Sequence, residues 1–100
     1  MARGDVIGSL QTLSAGGSYT VQPGYGVEWV IKCFGGDAGD NNSIQAYDGT
    51  STVIIMRGED AESTGGRMTF PINNSLYARL QNHSSGDSTR ASYHGFITKD

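Results

Sequence analysis

Cysteine, proline and charged residues are scarce in this chain of 100 residues, which has 1 Cys, 2 Pro and 17% Asp, Glu, Lys and Arg. A single cysteine excludes an intramolecular disulfide, so a hydrophobic core has to hold the fold together. No apolar run approaches the about 20 residues of a membrane-spanning helix, and residues 1–5 lack the apolar segment of a signal peptide. We therefore expect a disulfide-free protein that has no membrane partner and is synthesised in a cytoplasm.

Clustered positive charge is missing as well. Seven Lys and Arg stand against ten Asp and Glu, which gives a net charge of -3 and a pI of about 5.1. Proteins that bind nucleic acid use clustered Lys and Arg to displace counterions, whereas the basic residues of this chain are scattered along it. The charge pattern therefore argues against a nucleic-acid partner.

Motifs for catalysis and metal binding are also absent. The chain has no G-x-S-x-G, no H-E-x-x-H and no G-x-x-x-x-G-K sequence. His83 and His94 have no nucleophile at a spacing that would position it, and Asp37 and Asp40 do not follow the alternating ligands of a calcium loop. We expect a protein that is not an enzyme, with no catalytic residues, no cofactor and no bound metal.

Short segments with alternating apolar and polar residues make up most of the chain. In the segment 27–34, for example, Val27, Trp29, Ile31 and Cys33 share one face. This period of two is typical of a strand with one buried side, and the 15 glycines supply the turns between strands. The pattern predicts eight strands, at 6–13, 18–22, 27–34, 43–48, 52–57, 67–72, 76–82 and 91–98.

A sheet with one apolar face has to cover that face, and a second sheet is the usual solution for about eight short strands. The predicted fold is therefore all-β, an antiparallel β-sandwich of the jelly-roll kind, with a closed barrel as the competing topology. The core residues expected from the shared strand faces are Val21, Trp29, Ile31, Ile55, Phe70, Leu80 and Tyr93.

Apolar residues remain on the second faces of several strands after the core faces are filled. Such surplus surface favours self-association, because association removes it from water. We also expect residues 1–9 to form an N-terminal arm and residues 10–100 a single sandwich domain, with polar loops at 37–42 and 58–66 that are exposed. The candidate contacts with a partner or a second copy are Arg3, Asp5, Val6, Ile7, Phe34, Ile54, Met56, Tyr77 and Phe96.

The spacing of strands and the turn residues resemble those of a known protein family over about residues 10–98. The segments that carry this resemblance are 18–24, 28–31, 72–80 and 91–97. In these segments the chain resembles the small β-sandwich head decoration, or cement, proteins of tailed bacteriophages. The resemblance implies a virion protein that binds the outside of the capsid, contacts the major capsid protein, forms homotrimers and stabilises the head. It implies no catalytic residues, and synthesis in the host cytoplasm.

An alternative function is a carbohydrate- or receptor-binding module of a phage tail or fibre. Tyr19, Tyr25, Tyr47 and Tyr77 are the residues that favour it, since tyrosine rings stack on sugars. Only under this alternative is a glycan the expected partner.

Overall fold

The computed structural model of the chain describes residues 2–36, 42–58 and 64–100, and all regular structure in these ranges is β-strand. The predicted loops at 37–42 and 58–66 lie mostly outside the described residues, and their described ends belong to strands. The eight strands are β1 (Val6–Leu13), β2 (Ser18–Val21), β3 (Glu28–Gly36), β4 (Asn42–Tyr47), β5 (Thr52–Gly58), β6 (Thr64–Ile72), β7 (Tyr77–Asn82) and β8 (Thr89–Lys99).

The strands form two four-stranded antiparallel sheets. Sheet I has the order β1-β8-β3-β6, and sheet II has the order β2-β7-β4-β5. The first strand therefore pairs with the last, β2 with β7, β3 with β6 and β4 with β5. This nested pairing is that of one long hairpin rolled into two layers, which is a jelly roll. The predicted all-β sandwich is confirmed.

Side-chain caps fix two of the tight turns. In the turn between β4 and β5, Oδ1 of Asp48 accepts hydrogen bonds from the backbone N–H groups of Thr50 and Ser51, at 2.9 and 2.7 Å. In the turn between β6 and β7, Oδ1 of Asn73 accepts from the N–H groups of Ser75 and Leu76, at 2.9 and 2.8 Å. Asp and Asn are frequent in turns because their short side chains bond the backbone in this way. The second turn carries the chain from sheet I to sheet II.

The core lies between the two sheets. Of the predicted core residues, Trp29 packs against this core while partly exposed, and five more are buried: Val21, Ile31, Phe70, Leu80 and Tyr93. The prediction for Ile55 is wrong, because this side chain is 44% exposed. Met56 is paired with Ile44 and Ile54 with Gln45, so Ile55 is an extra, bulged residue that shifts the alternation of β5.

A second bulge lies in β3, and because of it the predicted positions of Phe34 and Cys33 are wrong. The register between β3 and both of its neighbours shifts between Ile31 and Cys33. Phe34, which the alternation placed on the outer face as a candidate contact, is therefore in the core at 2% exposure. Cys33, which the alternation placed on the buried face, is instead partly exposed, with its Sγ 3.7 Å from Nδ1 of His94.

The N-terminal arm predicted at residues 1–9 is largely part of the sandwich. Val6 to Ser9 are the first half of β1 and pair with β8. Before the strand, the N–H of Gly4 donates to the carbonyl oxygen of Ile97 at 2.8 Å, and the N–H of Ile97 donates to that of Asp5 at 3.0 Å. Ile7, a predicted contact, is in the core at 6% exposure. The boundary at residue 9 is therefore not a domain boundary.

The two leucines at positions 80 and 76 test the location of the core with the same substitution. Leu80 is fully buried in β7, whereas Leu76, in the preceding turn, is 50% exposed. We expect Leu80→Ala to lower the free energy of unfolding by about 2–5 kcal/mol, because it removes buried methyl groups and leaves a cavity. Leu76→Ala should cost less than about 1 kcal/mol. Urea denaturation at one fixed protein concentration measures both, and equal losses would contradict the assigned core.

Gly95 provides a test of the pairing between β3 and β8. A Cβ at this position would overlap the carbonyl oxygen of Val30 and lie 3.0 Å from Cα of Ile31. Because neither backbone atom can move without breaking the ladder, Gly95→Ala should cost about 3 kcal/mol or more. At Gly86 an added Cβ meets nothing within 4 Å, so Gly86→Ala is the matched control. A Gly95→Ala protein with the thermal midpoint of the control would show that the two strands lie further apart.

Candidate interaction surfaces

The outer side of sheet I carries a row of apolar residues that crosses all four strands. Val6 is paired with Phe96, Phe96 with Val30, and Val30 with Pro71. Residues opposite each other in an antiparallel sheet point to the same side. Leu10 lies on this side as well, two pleat repeats after Val6 along β1. We call these five residues, Val6, Leu10, Val30, Pro71 and Phe96, the apolar face.

The apolar face is open to solvent. Val6 is 68% exposed, Leu10 71% and Phe96 42%. Isolated exposed apolar side chains are normal on any protein, whereas contiguous ones mark sites of association. Charges of both signs share this side of the sheet: Lys32, whose Nζ donates to Oγ1 of Thr69 at 2.9 Å, Arg90 on β8, and the exposed Glu28, two residues before Val30 on β3.

A second exposed apolar surface lies on β5, which is an edge strand of sheet II. Val53 is 63% exposed, Ile54 42% and Ile55 44%. We call these three residues the β5 ridge; they share an edge and not a face, since Val53 is paired with Ala46 on the core side and Ile54 with Gln45 on the outer side. Edge strands are usually protected by charges or by a bulge, and no charged residue lies between Thr52 and Met56. The strand has a bulge at Ile55, and its charged residue, Arg57, follows directly after Met56.

The outer side of sheet II carries a network of polar groups that bond one another, with the exposed Ile54 at its edge, opposite Gln45. Nε and Nη2 of Arg79 both donate to Oε1 of Gln45 at 3.2 Å, and Nη2 also donates to Oγ1 of Thr52 at 3.2 Å. The guanidinium lies 4.4 Å from the ring centre of Tyr47, which meets Tyr77 edge to face at 5.5 Å. This side is a packed network of polar and aromatic groups, in contrast to the apolar side of sheet I.

The structure brings together only some of the predicted contact residues. Val6 and Phe96 are direct partners on the apolar face, and Ile54 lies on the β5 ridge. Tyr77 belongs to the network on sheet II, and Met56 packs against the core. Arg3 and Asp5 are exposed ahead of β1, where the carboxylate of Asp5 accepts a hydrogen bond from the N–H of Ala2 at 2.8 Å.

Four exposed residues of these surfaces were not among the predicted contacts: Leu10, Val53, Ile55 and Pro71. The signal for Leu10 is present in the sequence, because Ile7 and Leu13 are the buried residues of β1 and Leu10 shares the side of Val6. For Ile55 no local signal exists, since its exposure depends on a bulge against β4.

Potential metal ligands are dispersed among the described residues. Among those residues no three His, Cys, Asp or Glu side chains are close enough to hold a metal ion. None of the described elements is a helix of the length and apolarity required to cross a membrane. The pKa of Asp48 is lowered by the backbone N–H groups of Ser51 and Thr50, so the turn beside the β5 ridge carries a carboxylate.

Known proteins resemble this chain in structure, whereas no match was found at the level of sequence. No protein-family model matches, and neither does any curated protein sequence. The nucleoplasmin-like N-terminal domain of Drosophila FKBP39 is 12% identical, with a TM-score of 0.61 over 93% of this chain and 89% of that one. The Drosophila NLP core, whose structure is described as giving insight into pentamer formation and histone binding, is 16% identical, with a TM-score of 0.56 over 90% and 96%.

A pentameric capsid protein from metagenomic phage sequences is 11% identical, with a TM-score of 0.57 over 93% of this chain. The chain spans 62% of that protein's length. At identities this low, the three likenesses establish a fold and no more. The chain has a small β-sandwich fold that is shared by nucleoplasmin-like domains and by this phage capsid protein.

Proposed function

We propose that this protein is a structural component of a tailed-phage virion, a decoration or cement protein that binds the outer surface of the head as a ring of identical copies. The observation that carries the proposal is the apolar face, a row of exposed side chains across a complete sheet. A monomeric sandwich already buries its core between the two sheets, so an exposed apolar row on an outer side does not stabilise it. In an assembly subunit the same row is buried against a partner, and its burial stabilises the contact.

The fold supports the part of the proposal that concerns association of identical copies. One protein that shares it is described as a pentameric phage capsid protein, and the NLP core is described in terms of pentamer formation. Sandwiches of this fold are therefore described as pentamers in at least two settings. The resemblance of the sequence to decoration proteins implies three copies in a ring, and the two structural neighbours imply five.

A ring stabilises a capsid through linkage. A protein that binds assembled capsid subunits but not free ones shifts the equilibrium toward the assembled shell, by an amount that grows with its occupancy. Several identical contacts in one ring add avidity, since dissociation requires all of them to open. The partner in this proposal is the major capsid protein, and the location is the exterior of the virion.

Cosedimentation with heads that were assembled without this protein tests the proposal. We expect the wild-type protein to sediment with such heads and to raise the temperature at which they dissociate. Native mass spectrometry of the free protein then gives the number of copies in the ring. The matched control is Phe96→Glu, which places a charge on the apolar face and should reduce binding by at least tenfold through loss of avidity.

Two results would contradict this function. The first is a wild-type protein that stays in the supernatant at every capsid concentration. The second is binding to glycans of host cells but not to heads, which would favour the carbohydrate- or receptor-binding module instead.

A further inference from the structure

Tyr25 differs from the other tyrosines of this chain in that its ring projects into solvent. Of the five tyrosines, all of which lie in the described ranges, Tyr25 is 94% exposed. Tyr19 packs against the core, Tyr93 is buried, and Tyr47 and Tyr77 contact each other. Among these residues, Tyr25 is therefore the one whose ring is open to a stacking ligand.

The turn that carries Tyr25 does not explain why a tyrosine stands there. The N–H of Val27 donates to the carbonyl oxygen of Gly24 at 3.0 Å, and Gly26 has a positive φ of 81°. These features define a tight turn with Tyr25 at its first corner and a glycine at the second corner, where the backbone requires one. The first corner accepts most residue types, so the turn itself does not require the exposed ring.

A cleft lies beside Tyr25, at the end of the sandwich where β2 is connected to β3. Its volume is about 410 Å³, within the range of about 300–1,000 Å³ that is typical of small-molecule sites. The turn of Tyr25 and the turn between β6 and β7 contribute to its walls, together with the start of β3 and the end of β8. The lining residues with polar side chains are Glu28, Asn73, Asn74, Ser75 and Lys99.

Two hydrogen bonds between side chain and backbone hold the two turns of the cleft together. Nε2 of Gln22 donates to the carbonyl oxygen of Asn74 at 2.9 Å, and Nδ2 of Asn74 donates to that of Pro23 at 3.1 Å. Pro23 is fully buried, so the turn of Tyr25 is anchored on the core. A ligand that enters a cleft with fixed walls does not have to order them, which lowers the free-energy cost of binding.

The polar lining offers hydrogen-bond donors and acceptors side by side. Glu28 supplies a carboxylate and Lys99, its partner across β3 and β8, supplies an ammonium group. Oδ1 of Asn73 is used within its turn and Nδ2 of Asn74 bonds Pro23, which leaves Nδ2 of Asn73 as a donor and Oδ1 of Asn74 as an acceptor. Because a hydroxyl group both donates and accepts hydrogen bonds, this lining suits a ligand with many hydroxyls.

The charges at this end of the sandwich argue against an ionic ligand. Inside the cleft, the carboxylate of Glu28 is balanced by the ammonium group of Lys99. A cation would meet Lys99, and an anion would meet Glu28 and an acidic surround. The described charged residues of that surround, three acidic and one basic, are Asp5, Asp48, Asp100 and Arg3. A neutral ligand meets neither obstacle.

From these observations we propose that the cleft binds a neutral carbohydrate, with one sugar ring stacked on Tyr25 and sugar hydroxyls bonded to Glu28, Asn74 and Lys99. A sugar ring presents C–H groups on its face and hydroxyls at its edge, so it requires an aromatic ring beside convergent polar groups. The proposal goes beyond the proposed function. The cleft adjoins the apolar face at Glu28 but includes none of the five residues of that face, so a protein held on a capsid by the face presents the cleft as a separate site.

Saturation-transfer difference NMR with neutral oligosaccharides tests the proposal. The probes are four tetrasaccharides, built from glucose, mannose, galactose and N-acetylglucosamine. We expect at least one of them to receive saturation from the wild-type protein and to shift the ring resonances of Tyr25. Tyr25→Ala should weaken that binding about tenfold through loss of stacking. Glu28→Ala removes a charged acceptor and should also weaken binding about tenfold.

Two further variants provide the controls. Phe96→Ala removes an exposed aromatic ring from the apolar face, away from the cleft, and should leave sugar binding unchanged. Tyr25→Phe keeps the ring and should retain binding within about twofold of the wild type. Circular dichroism and thermal midpoints establish that each variant is folded.

Three results would overturn the sugar site. Absence of saturation transfer to all four probes from the wild-type protein removes it altogether. A Tyr25→Ala protein that binds as the wild type does shows that the sugar lies elsewhere. An equal loss of binding in Phe96→Ala shows unspecific contact with exposed aromatic rings. Cosedimentation with heads is a separate measurement, so the sugar site can fail while the decoration function stands, and the reverse.

Discussion

The close pairing of β3 with β8 at Gly95 is the constraint on which the rest of the sandwich depends. These strands are the two central strands of sheet I, and an added Cβ at Gly95 has no room beside Val30 and Ile31. Immediately after this point β3 bulges, so Phe34 turns into the core and Cys33 turns out beside His94. The same pairing aligns Phe96 with Val30 on the outer side. The pairing of these two backbones therefore determines which side chains of sheet I point into the core and which belong to the apolar face.

Strand positions could be predicted from the sequence because alternation and turn residues are local properties. β1 and β5 begin at the predicted residues, and the Asp48 and Asn73 turns lie where short polar side chains follow a strand. The errors at Phe34 and Ile55 have one physical cause. A bulge inserts a residue relative to the partner strand, and the partner is distant in sequence, so simple alternation assigns every later residue of the strand to the wrong face.

For the apolar face, the sequence predicts which residues point outward but not that they lie next to each other. That Val6 and Phe96 point outward follows from the alternation in β1 and β8, but their contact depends on the pairing of the first strand with the last. Alternation contains no information on which strands are neighbours. The N-terminal arm is a wrong prediction for the same reason. The sequence near Val6 does not show that its partner is β8, at the other end of the chain, so this segment is easily taken for an unpaired arm.

An exposed ridge on an edge strand is a hazard for a free monomer, since an uncharged β-branched edge invites pairing with any other open strand. A heterologous contact between copies that fails to close would extend the hazard into filaments. The packing of the two sheets limits how the exposed surfaces can be arranged. With β1 locked to β8 and β4 locked to β5, the angle between the apolar face and the β5 ridge is fixed by the packing of the two sheets. In any assembly of identical copies, a fixed angle between the contacting surfaces decides between a ring and a filament, because a heterologous contact closes only when the rotation between neighbours allows it.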